Sequence, residues 1–312
     1  MENLLLALGV VCPLFIELTL GYLLRRFHFW NDTTIAQMNN IVFRVFLPVY
    51  LFINVYHTEL ASAFQPGAIV FTLSVLLAAF LILTLVVPRF EKDPRRTGVI
   101  IQGSFRANAL LFGLPIALSI YGDAAAGIAA ILIAFVVPLV NVLSVVTLEI
   151  YKGGRPDVKS IVLGIIKNPL IIGTLGGAVF LLLGIHIPQP VDKAITDISK
   201  ISTPLALMLL GGSFPFSQIR GNVRQLVFSV ASTLSLVPAL ALPFAVLFGF
   251  RGVELTTIMS MLIPPTAVSS YTMADQMGGD GQLAAQIVVF GSAFSVITIF
   301  LWVFILRQLG LI

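Results

Sequence analysis

Residues 104–115 read Ser104-Phe105-Arg106-Ala107-Asn108-Ala109-Leu110-Leu111-Phe112-Gly113-Leu114-Pro115, and residues 263–271 read Ile263-Pro264-Pro265-Thr266-Ala267-Val268-Ser269-Ser270-Tyr271. Each stretch interrupts a long apolar segment. Proline removes a backbone donor and clashes with the carbonyl four residues back, and glycine leaves helical geometry cheaply. In hydrocarbon the freed backbone groups need a partner or a wet cavity. The first stretch is therefore expected to break near Gly113 and Pro115, the second at Pro264 and Pro265. Interrupted spans at corresponding places in two halves of a chain point to a transporter binding site. Two broken helices that cross aim half-helix N-termini at an anion.

The two stretches do correspond. Half of 312 is 156, and landmarks recur at that offset. Pro13 meets Pro169, Gly21 meets Gly177, Arg44 meets Lys200, Pro48 meets Pro204, and Gly122 meets Gly278. Hydrophobic residues form 58% of the chain and charged residues 10%, where a soluble domain carries about 25% charge. Lipid is the expected solvent. A span takes roughly 20 apolar residues, and ten are read: Leu4–Leu24, Thr34–Tyr56, Ala68–Val87, Thr97–Ile120, Ala124–Ile150, Ser160–Leu183, Pro190–Gly212, Val223–Phe248, Leu255–Met277 and Gln282–Leu306. Five fall in each half, 1–156 and 157–312. Five is odd, so the second half enters from the opposite side. The expected fold is all-α integral membrane: ten transmembrane helices as two inverted five-helix repeats, with broken helices 4 and 9 crossing.

Basic residues in the connections orient the chain. One side has Arg25, Arg26, Arg89, Lys92, Arg95, Arg96, Lys152, Arg155, Lys159, Lys167, Arg220 and Arg224; the other has Lys193, Arg251 and Arg307. The rich side reads as cytoplasmic, which leaves both termini extracytoplasmic. The net charge of +4 is then topology signal, and no nucleic-acid partner is expected. With one Cys, three scattered His and no HExxH or P-loop pattern, neither a metal site, nor a cofactor, nor an ATP-driven pump is expected.

Buried ionisable groups in spans are functional candidates by default. Glu17, Arg44, Lys200 and Arg106 lie inside spans, and Asp275 lies near the end of the ninth. Arg44 and Lys200 each precede a proline by four residues. An ion pair of Glu17 with Arg44 or Lys200 is the structural alternative to a functional role. Arg106 shares its segment with Asn108 and the Gly113–Pro115 interruption, which places it near the permeation path. Asn108 can donate and accept and so suits a carboxylate. Asn141, after Pro138, is a second polar candidate, or an interhelical hydrogen bond.

At these residues the chain resembles the auxin efflux carrier family in its short bacterial form. The likeness rests on Asn108 followed by Gly113-Leu114-Pro115 and Tyr121-Gly122, on Asn39 with Pro48, and on Pro265 opening a Thr/Ser-rich ninth span. The resemblance implies a fold shared with bile-acid sodium symporters and sodium/proton antiporters. It implies a scaffold from spans 1, 2, 6 and 7 that mediates a homodimer, and a moving transport domain from spans 3–5 and 8–10. The implied substrate is a small organic anion such as malate, malonate or an auxin-like acid, with H+ or Na+ as candidate coupling ions. The implied site is Asn108, Pro115 and the Pro265–Tyr271 segment. Two departures from the plant members are the absence of a long central loop and Asp275 where they place a Lys.

The expected function is a plasma-membrane (bacterial inner-membrane) secondary carrier working by elevator-type alternating access, and not an enzyme. The alternatives are a sodium-coupled symporter of the bile-acid type, with Ser269 or Ser270 as ion ligands, and a non-transporting membrane sensor.

Overall fold

The computed structural model describes residues 2–57, 65–153, 158–214 and 221–312, except the side chains of residues 2–8, 10, 158 and 160. Arg155 and Arg220, two of the orienting charges, lie outside the described residues. The described chain is helical throughout: α1 (Glu2–Arg26), α2 (Asp32–Tyr56), α3 (Pro66–Phe90), α4 (Pro94–Phe105), α5 (Ala109–Tyr121), α6 (Asp123–Tyr151), α7 (Val158–Ile166), α8 (Pro169–Leu182), α9 (Gln189–Ser213), α10 (Val223–Leu247), α11 (Gly252–Leu262), α12 (Ser269–Gln276) and α13 (Gly281–Gln308).

Six of these, α2, α3, α6, α9, α10 and α13, are long and apolar enough to cross a membrane, and α1 has 25 residues. The expected fourth and ninth spans are each two half-helices, α4/α5 and α11/α12. The expected sixth span is also divided, at Lys167–Asn168, where Asn168 caps α8 by accepting from the Leu170 N–H at 2.9 Å. Outward faces are apolar: α3 exposes Val70, Leu77, Leu81, Ile82 and Leu85. In water that surface is an aggregation hazard; in hydrocarbon it is solvated.

The proline next to the fourth-span interruption does not break the helix where the sequence expects. The chain leaves helical geometry at Arg106–Asn108, before Gly113 and Pro115. Pro115 is instead accommodated by a wide π turn, Ala109–Gly113, in which the Leu114 N–H bonds the Ala109 carbonyl five residues back. The same device precedes Pro48 (Val42–Phe46) and Pro238 (Ser232–Leu236). A π turn widens the helix by one residue and so relieves the clash with the carbonyl four back. For Pro238 that carbonyl, Leu234, accepts from the Trp302 indole N–H at 2.9 Å. The ninth-span interruption lies as expected at Pro264 and Pro265.

Two helix pairs pack backbone against backbone through glycine. Gly21 of α1 lies against the Met208 backbone of α9, and Gly177 of α8 lies against the Phe52 backbone of α2; a Cβ at either glycine would strike the facing carbonyl. Small residues let helix backbones approach in this way in membranes. The glycines are 156 residues apart, and so are Met208 and Phe52. Gly122 and Gly278, another pair at that offset, both have positive φ (55° and 82°) just after a half-helix, a conformation glycine adopts without steric penalty.

Candidate functional site

The two breaks meet. Ala107 and Thr266 form an antiparallel bridge. The Asn108 N–H donates to the Pro265 carbonyl at 2.8 Å, and the Ala267 N–H donates to the Arg106 carbonyl at 3.0 Å. Each broken segment thus satisfies the backbone groups that the other frees, as hydrocarbon requires. Behind them, the Gly103 carbonyl accepts from the hydroxyls of Thr233 (2.5 Å) and Thr266 (2.7 Å). Thr233 belongs to the π turn of α10, so the widened turn supplies a donor to the end of α4.

Arg106 lies within this crossing and is 3% exposed. Its Nη1 donates to Ser270 Oγ at 2.7 Å. Its Nη2 donates to Asn141 Oδ1 at 2.6 Å and to Ser269 Oγ at 2.9 Å. Asn141 is held in turn by its Nδ2, which donates to the Val137 carbonyl at 2.8 Å. That carbonyl sits one residue before Pro138, in a helix that continues through the proline. Among the described residues, no carboxylate forms an ion pair with Arg106, and its Nε–H is buried without a partner. The charge is permanent, because a guanidinium stays protonated in proteins.

Beside the guanidinium is a small cavity of about 30 Å³. Its walls are Asn108, Leu111, Ala267, Val268 and Ser269 from the crossing, Leu47 and Tyr50 from α2, and Ser202, Thr203 and Ala206 from α9. Asn108 caps α5, its Oδ1 accepting from the Leu111 N–H at 3.3 Å. That leaves its Nδ2 as the free donor. Ser269 accepts from Arg106, so its own proton is available to a further acceptor. The polar side chains on the crossing side of this cavity, Asn108 and Ser269, thus present donors, and Ser269 is bonded to the buried positive charge. Larger hollows of about 450 and 710 Å³ between α3 and α10 have almost wholly apolar linings. They lack the polar groups that orient a ligand.

The structure therefore brings Arg106, Asn108, Asn141, Ser269 and Ser270 together, with Pro264 and Pro265 in the break itself. Gly113 has another position: it lies against the Ser260 carbonyl of α11, and Pro115 follows it inside α5. Neither lines the cavity. Tyr271 turns toward α9, its hydroxyl donating to Ser213 Oγ at 2.7 Å. The Asp275 carboxylate is exposed and accepts from Nδ2 of the fully buried Asn39 at 2.7 Å.

The remaining charges lie away from the site. Arg44 is exposed on the face of α2 that carries Ile41 and Val45. Lys200 is exposed and pairs with Asp197, one turn away, at 2.9 Å. Among the described residues Glu17 pairs with neither, so the ion pair posed as the structural alternative does not form; the cations sit on outward faces. Sequence reasoning missed Tyr50, Ser202 and Thr203. The signal available was the matched pair Pro48 and Pro204, which these residues neighbour.

A family model described as membrane transport protein matches residues 6–303. The chain is similar to Uncharacterized transporter MJ1031 of Methanocaldococcus jannaschii, 24% identical over 312 residues, covering 97% of this chain and 99% of the relative.

Proposed function

The chain belongs to the membrane transport protein family, to which the auxin efflux carriers belong, and from that premise we propose that it is a secondary carrier of a small organic anion, bound where the broken helices cross. The observation that carries this reading is the buried guanidinium of Arg106, with no carboxylate among the described residues to neutralise it, near a cavity whose crossing side presents the donors of Asn108 and Ser269. A buried charge is tolerated when paired, and an anionic substrate supplies the missing partner. Asn108 Nδ2 and the Ser269 hydroxyl hold the carboxylate. Arg106 acts on it through Ser269 and through the field of its charge, which is strong in a low-dielectric interior.

In this reading ten spans form two inverted repeats, 1–156 and 157–312. Support comes from the 156-residue spacing of the glycine contacts and from the antiparallel meeting of the two breaks. Spans 1, 2, 6 and 7 act as scaffold and the remaining spans as the moving domain. Ligand pockets occupy roughly 300–1,000 Å³, so the cavity at the crossing is a closed form. Substrate enters when the crossing moves relative to Tyr50 of α2 and Thr203 of α9. An elevator-type alternating access in a bacterial inner membrane, with both termini outside, follows from this reading. Its substrates are acids of the malate, malonate or auxin-like type.

Uptake of radiolabelled malate, malonate and indole-3-acetate into proteoliposomes tests the proposal. Saturable uptake of at least one acid, lost in Asn108→Ala, is the expected result. Binding of an acid with no flux in any condition would contradict it and favour a sensor.

A further inference from the structure

Three neutral oxygens surround the Arg106 guanidinium inside the crossing: Ser270 Oγ from α12 at Nη1, and Asn141 Oδ1 from α6 and Ser269 Oγ from α12 at Nη2. They lie 2.7, 2.6 and 2.9 Å from those nitrogens. Carbonyl and hydroxyl oxygens are the ligands that hard cations take, and a coupling sodium ion at a helix crossing binds to such groups. Here a side chain already fills the set. We propose that Arg106 is the resident cation of the crossover: it takes the place a coupling sodium ion would need, so the anion binds without sodium. This rests on the anion-carrier reading above.

The geometry favours a permanent occupant. Asn141 Oδ1 is aimed by the bond its Nδ2 makes to Val137. Ser270, Asn141 and Arg106 are all at most 3% exposed, so an ion exchanging with solvent has no open route to them in this closed form. Ser269 borders the cavity and carries the influence of the fixed charge to its wall. A guanidinium neither dissociates nor discharges at working pH. A sodium gradient therefore has no handle on these oxygens, and discrimination falls on the substrate: an acid ionised at working pH enters, and a neutral analogue of the same size does not.

The test removes the resident cation and offers substitutes. Purified wild-type protein and Arg106→Ala are heated in NaCl, choline chloride or methylguanidinium chloride at equal ionic strength, first without any acid. The variant is expected to gain melting temperature in methylguanidinium, and to a smaller degree in sodium, relative to choline; the wild type is expected to be indifferent. With malate, malonate or indole-3-acetate as probe, the variant is expected to lose about tenfold or more in affinity in choline and to regain part of it in methylguanidinium.

Wild-type acid binding that requires sodium would overturn the proposal. So would an Arg106→Ala variant whose stability ignores methylguanidinium. A wild type that binds no acid in any salt overturns the carrier reading instead, while the acid-free heating still reports on the oxygen set. If Arg106→Ala does not fold, Arg106→Lys replaces it: an ammonium in the same set predicts acid binding without sodium, and sodium dependence there counts against the proposal.

Discussion

The crossing of α4/α5 with α11/α12 and the glycine contacts of α1 with α9 and α2 with α8 solve the same problem in opposite ways. Both bring backbone close to backbone inside an apolar medium. At the glycine contacts every helix stays intact and the approach is made possible by lost side chains, Gly21 and Gly177. At the crossing the helices open, and the exposed amides pair across the gap through Ala107 and Thr266. The first solution frees no backbone amide, since each stays bonded within its own helix. The second leaves Asn108 and Ser269 on the wall of a cavity, with Arg106 bonded behind Ser269, which is why chemistry is expected there. A break is a way of gathering donors where helical backbone alone offers none.

The comparison breaks hardest at the glycine contacts. Gly21→Leu and Gly177→Leu are each expected to lower stability by about 3 kcal/mol or more, since backbone and not a movable side chain faces them. Melting in detergent measures this. Equal effects at the two sites would sharpen the 156-residue relation, and a neutral result at one would break it. At the crossing, Thr233→Val with Thr266→Val strips both hydroxyl donors from the Gly103 carbonyl. The expected loss is about 1–3 kcal/mol, read by the same melting experiment. A neutral double variant would show that the end of α4 does not depend on them.

A third prediction concerns the polar network at the ends of α3, α4 and α10. Burial by itself raises the pKa of Glu91, but hydrogen bonds from Gln225 and from the backbone N–H groups of Asp93 and Lys92, with the nearby Arg96 charge, hold it below the usual carboxylate range. A folded pKa below the unfolded one contributes stability above the unfolded value. That stability is lost as pH falls through the acid range to the folded value. Wild-type melting should therefore drop on the acid side, and Glu91→Gln should flatten that limb. The smallest expected effect is Pro48→Ala. The π turn already absorbs the proline, so a change under about 1 kcal/mol is expected; a large loss would mean the turn depends on the proline.

The sequence carried much of this architecture because its strongest signals are local. Apolar runs marked the helices, and the 156-residue offset picked out Gly21 and Gly177, which both lie against the backbone of a neighbouring helix. Pro264 and Pro265 marked one break correctly. They misled by analogy at the other, because Pro115 is paired with a π turn that no residue pattern announces. Arg106 and Asn108 were legible as polar residues in an apolar run. Their partners were less so, since Asn141 and Ser269 reach Arg106 only through folding. Tyr50 and Thr203 were harder to read, because an aromatic or a hydroxyl beside a proline looks like any other helix surface, and the match of Pro48 with Pro204 was their one signal. Arg44 and Lys200 stood out in sequence and proved to face outward.

The account stands most directly on whether Asn108 holds an anion. A thermal-shift panel on purified protein with malate, malonate, other small carboxylates and indole-3-acetate measures this, because a ligand that binds the native state raises its stability by mass action. The account predicts that at least one acid stabilises the wild type and that Asn108→Ala, which loses about 1 kcal/mol from the missing helix cap, still folds and no longer responds. An acid that stabilises Asn108→Ala as much as the wild type would contradict it.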